Sequence, residues 1–352
     1  MPSLPRCLLR PRPAGRRLPA GRRRGITPAL LVLVWAAIPL ALGAGGCGKA
    51  DTGVQLVYAY VGSFAGRGTQ PDSLAGPTAV GVLGDGLLIR EVWVAEDDSD
   101  RVSAFDFLGT YRRTLRAPGE FLKPVGLAVV DDSTVVVLEE DGLRASVVDT
   151  SGAVRRTIPL RPGTDPAAVA VRGREVFVGC SDPDQGGWVD VFSVDGTLLR
   201  TVASGFRDSL FSIGGLAVSE SLVFVTDPYR SRVRVFRPGG GLVRSFGAPG
   251  SGSGQMNSPQ GLALTDDGRL LVVDQGNRRV QEYGQDGKFV TQFGKDQLGN
   301  PASFRPGGIA AYSSSVLVGE YVYVTDAAAN RVYIVVRRFI RSTDRPALVR
   351  PR

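Results

Sequence analysis

Six copies of one short pattern follow each other at nearly constant spacing, and this repeat constrains the fold more than any other feature of the sequence. The copies read PTAVGV, PVGLAV, PAAVAV, IGGLAV, PQGLAL and PGGIAA. They start at Pro77, Pro124, Pro166, Ile213, Pro259 and Pro306, so successive starts lie 42 to 47 residues apart. Such a period, made of short strands, is typical of β-propeller blades, in which each repeat forms one small antiparallel sheet. The sequence therefore predicts an all-β, six-bladed β-propeller.

The fifth repeat shows how one blade is built. Its four apolar stretches, GLAL, RLLVV, RRVQEY and KFVTQF, predict the strands from the innermost to the outermost. Asp-Gly pairs at 267–268 and 286–287 predict hairpin turns between strands. The second of these turns recurs in other repeats, where a glycine stands four residues after an apolar residue. Glycine suits this turn because it adopts positive φ at no steric cost. These glycines are Gly109, Gly152, Gly196, Gly240 and Gly287.

The repeats also share a VxD step, an NRV or RV sequence after it, and an FG pair near the end. This pattern resembles the NHL repeat, over residues 54–339 and most specifically in blades 4 to 6. One enzyme branch of NHL-like propellers, the peptidyl-hydroxyglycine amidating lyases, depends on a histidine-bound metal. Because this sequence contains no histidine, the resemblance does not extend to that activity.

The sixth repeat lacks a fourth strand, since no turn follows RVYIVVRRF, which ends at Phe339. The segment 63–77 matches 245–259 in length, and both begin with a Ser-Phe pair. We therefore predict that Val54–Gly62 is the outermost strand of the sixth blade. An N-terminal strand would then complete the last blade and close the ring, which removes exposed sheet edges.

Residues 1–46 are predicted to be a lipoprotein-type signal peptide, followed by a short linker at 47–53. The segment holds eight arginines, no Asp, Glu or Lys, and an apolar run over Ile26–Ala44. Small residues precede Cys47 and resemble a bacterial lipobox, which implies that Cys47 is lipidated. The alternative is an uncleaved signal anchor, because an apolar run of this length could span a bilayer. Both interpretations place the propeller outside the cytoplasm and attach it to the membrane.

Charge argues against a nucleic-acid partner. The formal net charge is +8, and the eight arginines of residues 1–46 account for it. A protein that binds nucleic acid normally presents a basic face to the phosphates, and the predicted propeller has no excess of basic residues. The C-terminal tail, 340–352, is basic and could contact anionic lipid.

Histidine and cysteine usage restricts the chemistry. Without histidine, the chain cannot use histidine-based acid–base catalysis, a Ser-His-Asp triad or a histidine metal site. Cys7 would leave with the signal peptide and Cys47 would carry lipid, so Cys180 has no partner for an intramolecular disulfide. Cys180 lies in the strand-like run VFVGC, which predicts a buried, unreactive thiol.

A carboxylate recurs at the predicted end of the second strand, and an arginine follows five residues later. These pairs are Glu96 and Arg101, Glu139 and Arg144, Asp227 and Arg232, Asp274 and Arg279, and Asp326 and Arg331. Cys180 replaces the carboxylate in the third repeat. Because the pairs recur in five of six repeats, we interpret them as structural groups that fix the geometry of the loop between the two strands.

The same loops predict a candidate binding face over blades 1 to 3. Its acidic residues are Glu96, Asp97, Asp98, Asp100, Glu139, Glu140, Asp141, Asp182 and Asp184. Such a face could bind a cationic partner or a hard cation such as Ca²⁺, whose ligands are oxygens, or it could be a solvated acidic surface. Trp188, beside a longer loop of blade 3, is the expected exposed aromatic contact. Other aromatic residues, at one regular position of the second strand, are expected between blades: Trp93, Phe177, Phe224 and Tyr323.

These observations favour a binding or scaffolding propeller at the cell envelope, whose partner is an envelope protein or a small ligand, over an enzyme. Two alternatives stay open, because the propeller fold alone does not determine function. One is a metal-dependent hydrolase or lyase that uses carboxylates in the central channel. The other is a ligand-sensing module for a signalling partner, similar to the extracellular NHL propellers of some bacterial kinases. Apart from a possible Ca²⁺, no cofactor is expected.

Overall fold

The computed structural model of the protein describes residues 54–66, 72–115, 121–208, 210–299, 301 and 303–341. Within these ranges, 24 strands form six four-stranded antiparallel sheets. The predicted signal peptide, Cys47, the linker 47–53 and tail residues 342–352 lie outside the described residues. In the described ranges, every helix is too short or too polar to cross a membrane.

Each of the first five sheets is built from four consecutive strands. The first sheet contains β2 (Pro77–Gly84), β3 (Ile89–Glu96), β4 (Arg101–Phe105) and β5 (Tyr111–Thr114). The second contains β6 (Pro124–Val129), β7 (Thr134–Glu139), β8 (Arg144–Asp149) and β9 (Val154–Pro159). The third contains β10 (Asp165–Arg172), β11 (Glu175–Asp182), β12 (Gly186–Ser193) and β13 (Leu198–Ser204).

The next two sheets have the same order. The fourth contains β14 (Gly215–Val218), β15 (Val223–Asp227), β16 (Arg232–Phe236) and β17 (Leu242–Phe246). The fifth contains β18 (Pro259–Leu264), β19 (Leu270–Asp274), β20 (Arg279–Tyr283) and β21 (Phe289–Gly294). In the described loops there are five short 3₁₀ helices, at Asp97–Ser99, Gly205–Asp208, Pro228–Arg230, Gln275–Asn277 and Lys295–Leu298.

The sixth sheet combines β22 (Pro306–Ser313), β23 (Glu320–Asp326) and β24 (Arg331–Arg341) with β1 (Val54–Phe64). β1 pairs antiparallel with β24, from Val54 opposite Arg341 to Phe64 opposite Val332. The pairing contains an irregularity between Tyr60 and Gly62. The outermost strand of this sheet therefore precedes all other strands in the chain, and β24 continues two residues into the predicted tail.

The six sheets form a closed ring around a central axis. Each inner strand contacts the inner strand of the next sheet, and β2 contacts β22 across the point where the repeats begin and end. This arrangement confirms the predicted six-bladed propeller. The inner strands approach closely: a Cβ on Gly261 would lie 2.5 Å from the Gly307 carbonyl oxygen, and a Cβ on Gly308 would lie 2.5 Å from that of Thr78. These positions therefore require glycine.

The antiparallel order defines two faces. Inner strands start at one face, where the linkers between blades and the turns between second and third strands also lie. We call it the linker face. The opposite hairpin face carries the remaining turns, including the predicted glycines, whose φ values are +91° (Gly109), +89° (Gly152), +95° (Gly196), +101° (Gly240) and +86° (Gly287). These values confirm the turn prediction.

The hydrophobic core is divided among the blade interfaces. Six clusters of buried apolar side chains each combine residues from two adjacent blades. Trp93, Phe177, Phe224 and Tyr323 are fully buried in these clusters, as predicted. Burial of such large side chains is the main force that holds the blades together.

A buried ionic cluster joins the fifth blade to strands β1, β23 and β24 of the sixth blade. Arg337 contacts Glu282 at 2.9 Å, Asp267 at 2.9 Å and Glu320 at 3.3 Å, and the Tyr58 hydroxyl donates a hydrogen bond to Glu282. Burial opposes the charge of Arg337, but hydrogen bonds to Glu282 and Asp267 outweigh it and hold the pKa of Arg337 above its ordinary value. The cluster therefore fixes β24 and β1 against the fifth blade.

Candidate binding surface on the linker face

Three of the predicted carboxylate–arginine pairs are well-formed ion pairs at the linker face. Arg101 donates two hydrogen bonds to Glu96, both at 2.9 Å, and Arg144 donates two to Glu139, at 3.0 and 2.8 Å. Arg279 donates to Asp274 at 2.8 Å. In each pair the carboxylate is fully buried, so the arginine compensates a charge that would be costly to bury alone.

The same carboxylates also bind the linker that precedes the inner strand. Glu96 accepts a hydrogen bond from the backbone N–H of Ala75 at 2.8 Å, and Glu139 accepts one from Leu122 at 3.0 Å. Asp274 accepts one from Asn257 at 2.7 Å. Each carboxylate thus ties the incoming linker to the third strand, which supports the structural interpretation of these pairs.

The fourth and sixth blades depart from this arrangement. Asp227 and Arg232 approach only to 3.5 Å. In the sixth blade the predicted pair is wrong, because Arg331 instead donates to the Ser63 hydroxyl of β1 at 3.2 Å. Asp326 is fully buried, one of its oxygens has no hydrogen-bond partner among the described residues, and burial raises its pKa. Ser63 lies on β1, the outermost strand of this blade, so Arg331 binds the outer strand rather than the carboxylate.

The third blade replaces the ion pair by an apolar pair. Cys180 and Trp188 are directly opposite each other in the sheet, at the positions that the carboxylate and the arginine occupy elsewhere. Burial raises the pKa of Cys180 to about 12, which agrees with the predicted unreactive thiol. Trp188 is only 5% exposed, so its prediction as an exposed contact is wrong. The turn that precedes it is short, and Trp188 lies inside β12 with the Arg161 guanidinium 5.3 Å from its ring centroid.

The residues of the predicted acidic face differ in exposure, and a lysine lies among them. Glu96 and Glu139 are fully buried in their ion pairs, so they cannot contact a partner, and their assignment to the binding face is wrong. Lys123 lies between the two loops: its backbone N–H donates to Asp100 at 2.7 Å, and its ammonium group binds Glu140 at 2.6 Å.

The remaining acidic residues lie in separate turns. Asp98, Asp141 and Asp184 are exposed. Asp97 is half-buried, and burial together with the Asp98 charge raises its pKa. Asp182 accepts hydrogen bonds from the backbone of its own turn, at 2.7 and 2.9 Å. Across the described part of the chain, no group of three or more His, Cys, Asp or Glu side chains is placed to hold a metal ion.

An exposed aromatic cluster lies between blades 3 and 4 on the linker face. It consists of Phe206, Phe211, Tyr229 and Arg230. The Phe206 and Phe211 centroids are 5.1 Å apart, Phe211 and Tyr229 stack at 5.5 Å, and the Arg230 guanidinium lies 4.1 Å from the Phe211 centroid. Phe206 is 46% exposed and Tyr229 is 73% exposed. The cluster is the largest group of exposed aromatic rings among the described residues.

Backbone contacts hold this cluster in place. The Phe206 N–H donates to the Gln185 carbonyl oxygen at 3.1 Å, and Gly187 donates to that of Leu210 at 2.9 Å. The Tyr229 N–H donates to the Ser212 hydroxyl at 3.2 Å. These bonds connect a turn of blade 3, the linker and a turn of blade 4, so the aromatic rings are presented on ordered backbone.

A cleft of about 470 Å³ adjoins the cluster and shares Phe206 with it. Its other lining residues are Arg161, Gln185, Trp188, Thr201, Ser204 and Gly205. Arg161 makes a bidentate ion pair with the buried Asp190, at 2.7 and 2.8 Å. The Trp188 indole N–H is buried and has no hydrogen-bond partner among the described residues. The cleft therefore has a mixed lining, in which the aromatic rings of Trp188 and Phe206 stand beside polar side chains.

This surface does not follow from the repeat, because its residues lie where the repeat is broken. Phe206 and Phe211 lie in the linker between blades 3 and 4, where the proline of the other repeats is replaced by Ile213. Tyr229 follows Pro228 in a turn that differs from its equivalents. The available signal was the presence of aromatic residues in loops, outside the regular position of the second strand.

Residues 256–283 match the NHL repeat. Among curated proteins, the chain is 38% identical to Protein lin-41 of Caenorhabditis elegans over 52 residues, which are 15% of this chain and 4% of that protein. It is 33% identical to RING finger protein nhl-1 of the same organism over 75 residues, 21% of this chain and 8% of that protein. The matches thus span a small part of these relatives.

Several solved structures share the fold. A gluconolactonase from Xanthomonas campestris superposes with a TM-score of 0.58 at 15% identity, over 81% of this chain and 90% of that chain. A chain of a nidogen/laminin complex gives 0.55 at 16% identity, over 73% and 98%. A catalytically inactive virginiamycin B lyase from Staphylococcus aureus, with quinupristin, gives 0.53 at 15% identity, over 80% and 99%. At this identity the likeness concerns the fold alone, a β-propeller, and the NHL match concerns only residues 256–283 of this chain.

Proposed function

We propose that this protein is an extracytoplasmic, lipid-anchored scaffold that binds a protein of the cell envelope through the aromatic cluster. The observation that carries this proposal is the exposure of Phe206 and Tyr229 beside Arg230 on ordered backbone. Aromatic residues and arginine are enriched at the centres of protein–protein interfaces, where a few of them supply most of the binding energy. The lipid anchor at Cys47 and the extracytoplasmic location rest on the signal sequence.

The geometry of the cluster favours a protein over a sugar. A sugar ring stacks on an open aromatic face, whereas here Phe211 is stacked against Tyr229 and covered by Arg230. Phe211 is therefore enclosed by its neighbours, and the exposed part of the cluster belongs to Phe206, Tyr229 and Arg230. Arg230 makes no ion pair with any described residue, so a carboxylate of the partner can bind it.

Catalysis in the central channel is less well supported. Among the six inner strands, only β10 contains charged residues, Asp165 and Arg172, at its two ends. A hydrolase or lyase that uses channel carboxylates needs more than one of them near the axis. The inactive virginiamycin B lyase carries alanine in place of one histidine, and the present sequence contains no histidine.

Site-specific photocrosslinking tests the proposal. Benzoylphenylalanine is introduced at Tyr229 and, as a matched control, at Leu198, which is 52% exposed at the hairpin end of the same region. Full-length protein is irradiated in native membranes, and adducts are identified by mass spectrometry. We expect a protein adduct from position 229 only, and its loss when Phe206→Ser and Arg230→Glu are added.

Equal adducts from both positions, or an adduct at 229 that survives Phe206→Ser and Arg230→Glu, would contradict the proposal. Both substitutions change exposed side chains, so the variant should unfold at the temperature of the parent protein. That measurement separates a loss of binding from a loss of structure.

A further inference from the structure

Four exposed aliphatic side chains form a patch on the hairpin face of blades 1 and 6. Leu87 and Leu88 lie in the turn between β2 and β3, and Val316 and Val318 lie in the turn between β22 and β23. Between 51% and 76% of each residue is exposed. Clusters of exposed aliphatic residues are unusual on the surface of a soluble protein. They mark sites that bind another protein or a membrane.

The two turns are bonded to each other. The Ser315 N–H donates to the Gly86 carbonyl oxygen at 3.0 Å, and the Gly86 N–H donates to the Tyr312 hydroxyl at 2.7 Å. The Ser314 hydroxyl donates to the Leu87 carbonyl oxygen. Leu317 points inward and packs against the core between the two blades. The patch, defined by Leu87, Leu88, Val316 and Val318, is therefore an ordered surface.

The chain reaches and leaves the propeller at the same face. β1 begins at Val54, opposite Arg341 of β24. Phe339, opposite Leu56, is also exposed at this end of the sheet. Gly319, next to Val318, lies against Arg338, since a Cβ there would be 3.2 Å from the Arg338 Cβ. The patch thus adjoins the ends of the two strands that connect to the predicted anchor and to the basic tail.

The connection to the predicted anchor is short. Cys47 precedes Val54 by seven residues, which span at most about 25 Å when fully extended. The residues after the last described strand include Arg345, Arg350 and Arg352, which favour an anionic surface. On the patch side, Arg90 is paired with Asp85 at 3.3 Å and also contacts Asp132 at 3.5 Å, so one arginine partly compensates these two carboxylates.

We infer that the patch rests on an anionic lipid bilayer, so that the hairpin face of blades 6 and 1 contacts the membrane. This inference depends on the membrane attachment proposed above. Surfaces that enter the interface between lipid headgroups and acyl chains typically combine exposed aliphatic side chains with basic ones, whereas exposed aromatic residues with an arginine, as on the linker face, are typical of protein interfaces. In this orientation the aromatic cluster points away from the bilayer.

Fluorescence quenching by lipid tests the orientation. Full-length protein carrying Leu88→Cys or Val318→Cys is labelled with bimane and reconstituted into vesicles of phosphatidylcholine and phosphatidylglycerol that contain a nitroxide-labelled lipid. Tyr229→Cys, on the linker face, is the matched control, and the parent protein gives the background labelling. We expect the emission at 88 and 318 to be quenched at least twofold more than at 229. Equal quenching at all positions, or none at 88 and 318, would overturn the inference.

A flotation experiment distinguishes this inference from the proposal on which it depends. If the parent protein does not float with vesicles, both the membrane attachment and the orientation are wrong. If it floats but positions 88 and 318 remain unquenched, only the orientation is wrong. Shielding of these positions from a water-soluble quencher without quenching by lipid would indicate a protein occupant and would also overturn the inference. Leu88→Asp with Val318→Asp should abolish the quenching at a label placed on Val316→Cys.

Discussion

One position, the last residue of the second strand, has different partners in different blades although its backbone setting is the same. Glu139 accepts hydrogen bonds from a linker N–H and from two nitrogens of Arg144. Asp326 accepts linker and turn backbone N–H groups at 3.2 and 3.1 Å, but no arginine side chain of the described ranges forms an ion pair with it. Burial without a compensating cation raises the pKa of Asp326. A buried carboxylate at this position therefore stabilises the second blade and destabilises the sixth.

Asp326→Asn should stabilise the protein at neutral pH, by about 1 kcal/mol. Because the folded pKa lies above the ordinary value of 3.8, the native state binds its proton more tightly than the unfolded state. The stability of the wild type should therefore fall as pH rises from about 4 toward 7, while the asparagine variant does not titrate at this position. Urea unfolding at pH 4.5 and 7.5 should show the advantage of asparagine growing with pH.

Glu139→Gln is the matched comparison and should have the opposite sign. The substitution leaves Arg144 without its carboxylate and should lower the free energy of unfolding by about 2 kcal/mol at pH 7.5. A stabilised Gln variant, or a destabilised Asn variant at both pH values, would contradict the assignment of the two positions.

Cys180 should be unreactive in the native protein. It is buried, and its pKa is raised to about 12, so the thiolate that reacts with alkylating reagents is scarce at pH 8. Iodoacetamide at pH 8 should leave Cys180 unmodified for hours, as judged by peptide mass spectrometry, and should modify it fully in urea. Rapid modification in the folded protein would show that the third blade opens.

At the scale of single elements, β24 has two different roles along its length. Its first residue, Arg331, contacts Ser63 at the linker face, whereas Arg337 is buried among Glu282, Glu320 and Asp267. Glu320 lies on the neighbouring strand, and burial raises its pKa. The strand thus contributes a buried cation that compensates carboxylates from two blades.

Arg337→Met should destabilise the protein by about 3–5 kcal/mol at pH 7, because it leaves buried carboxylates without a counter-charge. The carboxylates of the variant can be neutralised by protonation, so its deficit should shrink as pH falls toward 5. Arg331→Met, which removes one bond to Ser63, is the control and should cost less than about 1 kcal/mol. Thermal melts at pH 5 and 7 measure both variants, and a pH-independent deficit for Arg337→Met would exclude the electrostatic explanation.

Strands, turns and core positions that recur in several repeats could be predicted from the sequence. Features that do not recur could not, and each has a physical cause. The positions of Trp93 and of the turn glycines follow from a pattern that recurs in several blades. The Arg337 cluster does not, because it joins residues far apart in sequence that the pattern never aligns. Trp188 was misjudged for a related reason: it stands four residues before Phe192, at the arginine position, which the alignment of blade 3 could have shown.

At the scale of the whole molecule, the two faces of the ring differ in chemistry. The linker face carries buried ion pairs, acidic turns and the aromatic cluster, whereas the hairpin face of blades 1 and 6 carries an aliphatic patch. This difference could not be read from the repeats, since it arises from loop residues that break the repeat. The ring itself positions the two surfaces on opposite sides of a common core.

Removal of residues 54–62 should destabilise the entire ring, because β24 would lose its outer partner and Glu282 would lose the Tyr58 hydroxyl. An unpaired strand edge also favours association with other chains. We expect a melting temperature lower by at least 10 °C or aggregation in size-exclusion chromatography. A monomeric deletion variant with an unchanged melting temperature would show that the sixth blade does not depend on β1.

The pairing of β1 with β24 also determines when the sixth sheet can form during synthesis of the chain. β1 leaves the ribosome first among the strands and β24 last, so the sixth sheet cannot form until nearly the whole propeller sequence has been synthesised. Until then β1 has no partner, and the ring stays open. Under the proposed extracytoplasmic location this delay would be useful, because translocation requires an unfolded polypeptide and closure of the ring would wait until the last strand had been exported.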